Sequence, residues 1–179
     1  MQRIRRGGSS GVMVTLAALC AIGIILGKFL AFNVTEFMRF SLENITIIFS
    51  GIVFGPFLGA AVGAVQDLVG CIAVGYAINP IITLGSALNG LVSGYIFKLS
   101  RPLPLPVRIA ASVISSHMLG SVLVKSLGLA IFYSLPFGVT VLWRILNYII
   151  VGTAEAFLLY ILLKSKQLLA QINKFTQVK

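Results

Sequence analysis

The stretch GIVFGPFLGAAVG, residues 51–63, ends one apolar helix and begins the next. Pro56 cannot donate a backbone hydrogen bond inside a helix, and it biases Gly55 away from the helical conformation, so the break falls between these two residues. Small residues recur every fourth position, at Gly51, Gly55, Gly59 and Gly63. This spacing lets helix backbones approach closely in lipid. The stretch therefore predicts tightly packed membrane helices.

The rest of the chain is equally apolar. Of its 179 residues 58% are hydrophobic and 10% charged, and the mean hydropathy is +1.03, whereas soluble domains carry about 25% charged residues. A spanning helix needs about 20 mainly apolar residues. Breaks at Gly, Pro and polar residues predict an all-α integral membrane protein with one domain, residues 11–164. Its six transmembrane helices are Gly11–Phe32, Leu42–Phe54, Leu58–Val74, Pro80–Phe97, Val107–Phe132 and Val139–Leu163.

The second and third predicted helices are short for a spanning helix, and we expect them to depend on their neighbours in the membrane. The outer loops are predicted at Asn33–Leu42, Cys71–Pro80 and Tyr133–Gly138. The last residues, Lys164–Lys179, are predicted to form an amphipathic helix at the membrane surface.

The net charge of +10 is concentrated in three clusters outside the apolar segments. Their members are Arg3, Arg5 and Arg6; Lys98, Arg101 and Arg108; and Lys164, Lys166, Lys174 and Lys179. This is the positive-inside pattern, so it predicts that all three clusters are cytoplasmic, including the N-terminus at residues 1–10 and the tail at residues 165–179. It argues against nucleic acid as a partner and places the chain, with both termini inside, in a bacterial cell membrane.

Signatures of catalysis and metal binding are missing from the sequence. Cys20 and Cys71 lie in apolar surroundings without CxxC spacing, and His117 is the single histidine, so neither a disulfide nor a metal site is expected. The glycine-rich run at residues 7–11 lacks the lysine of a phosphate-binding loop. The sequence contains neither HExxH nor GxSxG. We therefore expect a protein that is not an enzyme, with no catalytic residues and no cofactor.

Charged residues inside the apolar segments need a separate explanation, because an ionisable group at membrane depth costs several kcal/mol. They are Lys28, Arg39, Asp67, Lys125, Arg144 and Glu155, with Glu36 and Glu43 near the outer rim. Four cations and four acids would balance if all were paired, so structural ion pairing is one interpretation. The other is a cavity that binds a ligand.

The second interpretation rests on where the polar residues fall. Arg144, Asn147 and Tyr148 share one face of the sixth helix. Lys125 lies in the fifth helix, and further polar or aromatic residues lie near the predicted outer ends: Arg39, Tyr76, Asn79, Tyr133 and Trp143. Together these cations, amides and aromatic rings suit an anionic, planar, hydrogen-bonding ligand.

Several segments also carry a family resemblance. RFSLENITIIFSGIVFGP at residues 39–56 and GAAVGAVQDLVG at residues 59–70 resemble the substrate-binding S components of energy-coupling factor (ECF) vitamin transporters, most of all the folate family. GYAINPIITLG at residues 75–85, KSLGL at 125–129 and RILNY at 144–148 are similar to the same family. The resemblance extends from the first helix to Glu155.

The resemblance implies a six-helix S-component fold that binds a vitamin, most readily folate, with high affinity near the outer face. It implies as partners a membrane coupling subunit and two ATPase subunits, which energise import. Ala17 and Ala21 match the AxxxA motif that docks on the coupling subunit. It implies ligand contacts at Arg39, Asn79, Lys125, Arg144 and Asn147, and Asp67 matches a further family position.

Three alternatives stay open at this stage. The loop AINP at residues 77–80 differs from the FPGFT of many folate-family members, so the ligand could be another vitamin or a vitamin precursor. A self-sufficient secondary transporter or channel would use Asp67, Glu155 and the buried cations as an ion path. A structural membrane subunit would use the same charges only to pair with one another.

Overall fold

The computed structural model describes residues 9–33 and 39–176, which form a bundle of antiparallel helices. Two of the helices change to π-helical hydrogen bonding along their length without a break in the chain. The elements are α1 Ser9–Ile24, continued as a π-helical turn Ile25–Phe29; β1 Phe32–Asn33; β2 Arg39–Phe40; α2 Asn44–Phe54; α3 Pro56–Val74; α4 Pro80–Leu99; α5 Leu105–Ser116, continued as a π-helical segment His117–Val124 and then α6 Lys125–Tyr133; α7 Phe137–Lys164; and α8 Lys166–Thr176.

Within the described residues, five helical segments are long and apolar enough to cross a membrane. They are Ser10–Phe29, Pro56–Val74, Pro80–Leu99, Leu105–Tyr133 and Phe137–Lys164. The order of the six predicted helices is confirmed. The prediction that the third helix is short was wrong. Pro56 occupies its first turn, so the helix begins two residues earlier than predicted and has 19 residues.

Helix α2 is the short member of the bundle. It has 11 residues and is therefore about 16 Å long, roughly half the thickness of the hydrocarbon layer. Its first eight residues, 44–51, are all buried, and it packs against α1, α3 and α4. Its last three residues are half-buried, so the neighbouring helices enclose most of α2, as its predicted dependence on them implies.

Glycines allow α2, α3 and α4 to pack backbone against backbone. A Cβ atom on Gly90 of α4 would overlap the carbonyl group of Gly59 in α3, and one on Gly51 of α2 would overlap the carbonyl oxygen of Gly90. Gly63 approaches the carbonyl oxygen of Ser86 in the same way. Only hydrogen fits at these positions, so Gly51, Gly59 and Gly63 of the predicted spacing make close helix contacts. Gly55 does not, because a Cβ atom there would meet nothing; it provides the turn with a positive φ of 111° instead.

The bundle is apolar outside and partly polar inside, as expected of a membrane protein. Large side chains such as Ile72, Leu84 and Ile114 are exposed, whereas Asn89 and Ser112 are fully buried. We call the end of the bundle that carries the α3–α4 and α6–α7 loops the outer end, and the opposite end the inner end. An apolar core that includes Phe49, Phe97, Ile109, Leu159 and Leu163 fills the inner half.

The chain's last described helix, α8, is the predicted amphipathic helix. Its Leu168 and Ile172 pack against the apolar core, while Lys166 and Lys174 are exposed. The apolar face of this helix is therefore covered by the bundle itself.

A two-residue antiparallel pair joins β1 and β2, with Phe32 opposite Phe40 and Asn33 opposite Arg39. No sequence pattern predicts this pair, because two residues are too few for an alternation of polar and apolar side chains. The pair brings the chain back to the outer start of α2.

Candidate ligand-binding site

A buried polar network occupies the middle of the bundle. Nδ2 of Asn89 in α4 donates to Oδ1 of Asn44 in α2 and to Oγ of Ser121 in the π-helical segment, each at 2.9 Å. All three residues are fully buried. A Cβ atom on Gly120 would overlap Oδ1 of Asn89, so a glycine there makes room for the amide. Within residues 9–33 and 39–176, Oδ1 of Asn89 has no hydrogen-bond partner.

The guanidinium group of Arg144 reaches this network from α7. Its Nη1 donates to the backbone carbonyl oxygen of Ser121 at 2.8 Å. Its Nε is buried and finds no hydrogen-bond partner in the described part of the chain. Because a guanidinium group has five N–H donors and prefers a carboxylate held by two of them, Arg144 keeps capacity for an anionic group.

An ion pair lies beside the network, nearer the outer end. Nζ of Lys125 is 3.6 Å from Oε1 of Glu43, and the lysine side chain is 4% exposed against 22% for the glutamate. The lysine stem packs against Gly85, where a Cβ atom would meet it at 2.6 Å. The structural pairing considered from the sequence is therefore realised for Lys125.

A second polar group surrounds Asp67 in α3. The Thr83 hydroxyl donates to Oδ2 of Asp67 at 2.7 Å, and Asp67 is half-buried. A cavity of about 10 Å³, enough for one water molecule, is lined by Lys28, Glu43, Gln66, Asp67 and others. Lys28 also lies over the Tyr76 ring, with Nζ 5.7 Å from the ring centre. Lys28, Glu43 and Asp67 thus lie together.

Asn79 has a structural task in this conformation. Its Oδ1 accepts hydrogen bonds from the backbone N–H groups of Ile81 and Ile82, which caps the start of α4. Its Nδ2 donates to the carbonyl oxygen of Gly128 at 3.0 Å, which ties α4 to α6. The amide is buried, so a ligand would have to share these bonds or replace them.

The remaining predicted ligand residues differ in exposure. Tyr76 is exposed in the α3–α4 loop, Tyr133 is exposed at the end of α6, and Trp143 is half-buried one residue before Arg144. Asn147 is buried, and Tyr148 stacks on His117 with ring centres 4.2 Å apart. The Arg39 side chain and Glu36 lie outside the described part of the structure.

The structure therefore assembles the predicted residues only in part. Arg144 reaches one polar group, and Lys125 and Asp67 belong to the other. The two groups adjoin, because Glu43 and Asn44 are consecutive. Uncharged residues that connect the groups were missed from the sequence: Asn44, Thr46, Gln66, Thr83, Asn89 and Ser121. The sequence signal for these residues is a polar side chain within an apolar helix. It does not single them out, because serines that bond only to their own helix give the same signal.

The sequence matches the profile of a family described as ECF transporter, substrate-specific component, over residues 12–164. The chain belongs to this family. The resemblance noted from the sequence is thereby confirmed, and the S component is a multi-pass membrane protein. No curated protein matches the sequence.

Among solved structures, this S component is similar to the crystal structure of FolT bound with folic acid. The TM-score is 0.68 at 22% sequence identity, over 87% of this chain and 93% of that one. At this identity the likeness shows a shared fold. The predicted S-component fold is confirmed.

The exposed stripe of α1 carries the residues that match the docking motif. Ala17 and Ala21 are exposed, while Leu16, Cys20 and Gly23 of the same helix face the bundle. Small side chains thus form part of the outward surface of this S component.

Proposed function

We propose that the S component binds folate, or a close folate derivative, in the outer half of the bundle between α2, α4, α6 and α7. The observation that carries the proposal is Arg144, a guanidinium group anchored on Ser121 with a buried Nε that lacks a partner in the described residues. FolT, which shares the fold, was crystallised with folic acid. Folate itself offers carboxylates for a guanidinium group and a planar ring with donors and acceptors.

The proposed contacts divide by chemistry. Arg144 takes a carboxylate, with Lys125 and Arg39 adding positive charge. Asn79, Asn147 and Asp67 read the edge of the ring, and aromatic side chains stack on it or close over it. The aromatic members are Tyr76, Tyr133, Trp143 and Tyr148. Because Glu43 already neutralises Lys125, Arg144 is the strongest candidate for the carboxylate.

Transport would depend on other chains. We propose that a membrane coupling subunit and two ATPase subunits energise import, and that the coupling subunit docks on the stripe with Ala17 and Ala21. The S component would lie in a bacterial cell membrane with both termini in the cytoplasm. Reconstitution tests this directly: folate uptake into liposomes should require the coupling subunit and the ATPases. Uptake by the S component alone would instead favour a self-sufficient transporter.

Binding is best tested by fluorescence of Trp143, the single tryptophan, in detergent-purified protein. Folate and 5-formyltetrahydrofolate should quench it saturably at submicromolar concentration, while thiamine and riboflavin should not quench it saturably. Arg144→Ala should weaken binding at least about tenfold, the loss expected for a charged hydrogen bond. Because folates absorb light, equilibrium dialysis with labelled folate should give the same dissociation constant.

Arg101→Ala is the matched control, because Arg101 is an exposed arginine in the α4–α5 linker at the inner end. It should bind folate as the native protein does. Flat titrations with every folate would remove folate as the ligand, and a screen of other vitamins and precursors would then identify the alternative. Equal loss in both arginine variants would show a nonspecific charge effect.

A further inference from the structure

A short polar contact between two helices lies deeper in the bundle than Arg144. Nε2 of His117 is 2.6 Å from Oε2 of Glu155, and the side chains are 3% and 0% exposed. Glu155 follows Arg144 by eleven residues on α7, which is about 16 Å along the helix axis. A buried polar pair contributes little to stability compared with apolar packing of the same volume, so its best-supported use is to specify one arrangement.

The hydrogen bonds around His117 have a consistent direction. Asn89 donates to Oγ of Ser121, so the Ser121 hydroxyl is free to donate onward to Nδ1 of His117, 3.2 Å away. The other ring nitrogen, Nε2, then donates to Oε2 of Glu155, 2.6 Å away. The network therefore holds the imidazole between Ser121 and Glu155.

Ser121 connects this pair to Arg144. Its hydroxyl belongs to the chain from Asn89 to Glu155, and its carbonyl oxygen accepts from Nη1 of Arg144. Ser121 lies in the π-helical segment His117–Val124, where the backbone hydrogen-bonding pattern differs from that of an α-helix. Such segments often mark functional sites.

We propose that His117, fixed by Glu155 and by the stacked ring of Tyr148, is a positioning residue for the ligand site. It holds the π-helical segment in the register that places Ser121 between Asn89 and Arg144. It thereby sets where the guanidinium group stands, without touching the ligand. This inference rests on the proposed function, since it assigns ligand contact to Arg144.

The first test is a double-mutant cycle on folate binding, read from Trp143 fluorescence. His117→Ala should raise the dissociation constant about tenfold in the native background. In protein that already carries Arg144→Ala, it should raise it by no more than about threefold, because only the contact of Tyr148 with the ligand can still be affected. Glu155→Ala should behave like His117→Ala. Glu155→Gln, which keeps an acceptor for the Nε2 proton, should stay within about threefold of native binding.

Ser116→Ala is the matched control. It removes a buried hydroxyl adjacent to His117 that, in the described part of the chain, bonds only to the carbonyl oxygen of Val113 in its own helix. It should leave folate binding unchanged. Equal weakening by His117→Ala in both backgrounds would indicate general loosening of the bundle and would overturn the proposal, as would native binding by Glu155→Ala.

A second readout needs no ligand and separates this inference from the proposed function. In ligand-free protein, His117→Ala should shift the Trp143 emission to longer wavelength and increase its quenching by acrylamide, because the outer part of α7 loses its fixed position. Ser116→Ala should change neither. If no folate binds but the Trp143 signals shift, the proposed function fails and the positioning role stands. Unchanged Trp143 signals would refute the positioning role whatever the ligand.

Discussion

Neutralising one member of the Lys125–Glu43 pair should destabilise the S component more than neutralising both. Removing one partner of a buried pair costs about 3–5 kcal/mol, whereas replacing both is often close to neutral. Glu43→Gln leaves the ammonium group of Lys125 without its carboxylate partner. The lysine side chain is 4% exposed, so we expect the whole loss of about 3–5 kcal/mol in the free energy of unfolding. Lys125→Met strands a carboxylate that is 22% exposed and reaches water, so we expect about half that cost.

Thermal unfolding in detergent measures these differences. A change of 1 kcal/mol shifts the Tm of a chain of this size by about 2–4 °C, so Glu43→Gln should lower it by about 6–20 °C. Lys125→Met should lower it by about half as much, and the double variant should return to within a few degrees of native. Lys98→Met is the control, because Lys98 is exposed at the inner end of α4.

The same variants separate pairing from ligand binding. If Lys125 contacts the carboxylates of folate, the stable double variant should bind folate about tenfold more weakly than the native protein. A stable double variant with native affinity would show that Lys125 serves the ion pair alone. The energetic reasoning itself would be refuted if Glu43→Gln had the same Tm as the native protein, or if the double variant had a lower Tm than both single variants.

Two further pairs of variants test helix packing and capping by thermal unfolding. Gly90→Ala, which drives a Cβ atom into the carbonyl of Gly59, should cost about 3 kcal/mol, whereas Gly138→Ala, with open space around the new atom, should stabilise α7 by about 0.5–1 kcal/mol; equal Tm values would contradict the packing. Asn79→Ala should cost about 2 kcal/mol, from the lost cap and the lost bond to Gly128. Asn79→Ser should cost about half of that, because a serine hydroxyl can still cap α4; equal losses would assign the whole effect to the bond between helices.

The sequence predicts the helices well because their breaks have local causes. Gly55 and Pro56 end α2 and begin α3, and Asn79 and Pro80 cap and begin α4, as the structure shows. The π-helical segments escape prediction, because hydropathy does not distinguish a bond to the fourth preceding residue from one to the fifth. Where α2 stands also escapes prediction, since its length alone cannot show that α1, α3 and α4 enclose it.

The sequence predicts only some residues of the candidate site. Lys125, Arg144 and Glu155 could be singled out, because a charged residue within an apolar helix is unusual. Their partners could not, because Glu43 lies 82 residues from Lys125 and His117 lies 38 from Glu155 along the chain. Ser121 is the hardest to find. Its importance comes from two bonds made in opposite directions, and its residue type suggests nothing of this.

Buried hydroxyl groups supply the remaining argument for where a ligand would bind. Ser50, Ser112 and Ser116 each donate to a carbonyl of their own helix, so these polar residues of the inner half need no other molecule. In the described residues, buried atoms that lack hydrogen-bond partners include the acceptors Oδ1 of Asn89 and Oε1 of Glu155, and the donors Oγ of Ser126 and Nε of Arg144 in the outer half. Because an unpaired buried polar atom costs about 1–3 kcal/mol, a ligand that accepts from Ser126 and Arg144 recovers that energy on binding. The unpaired donors thus favour the outer half of the bundle for a ligand that carries acceptors, such as carboxylates.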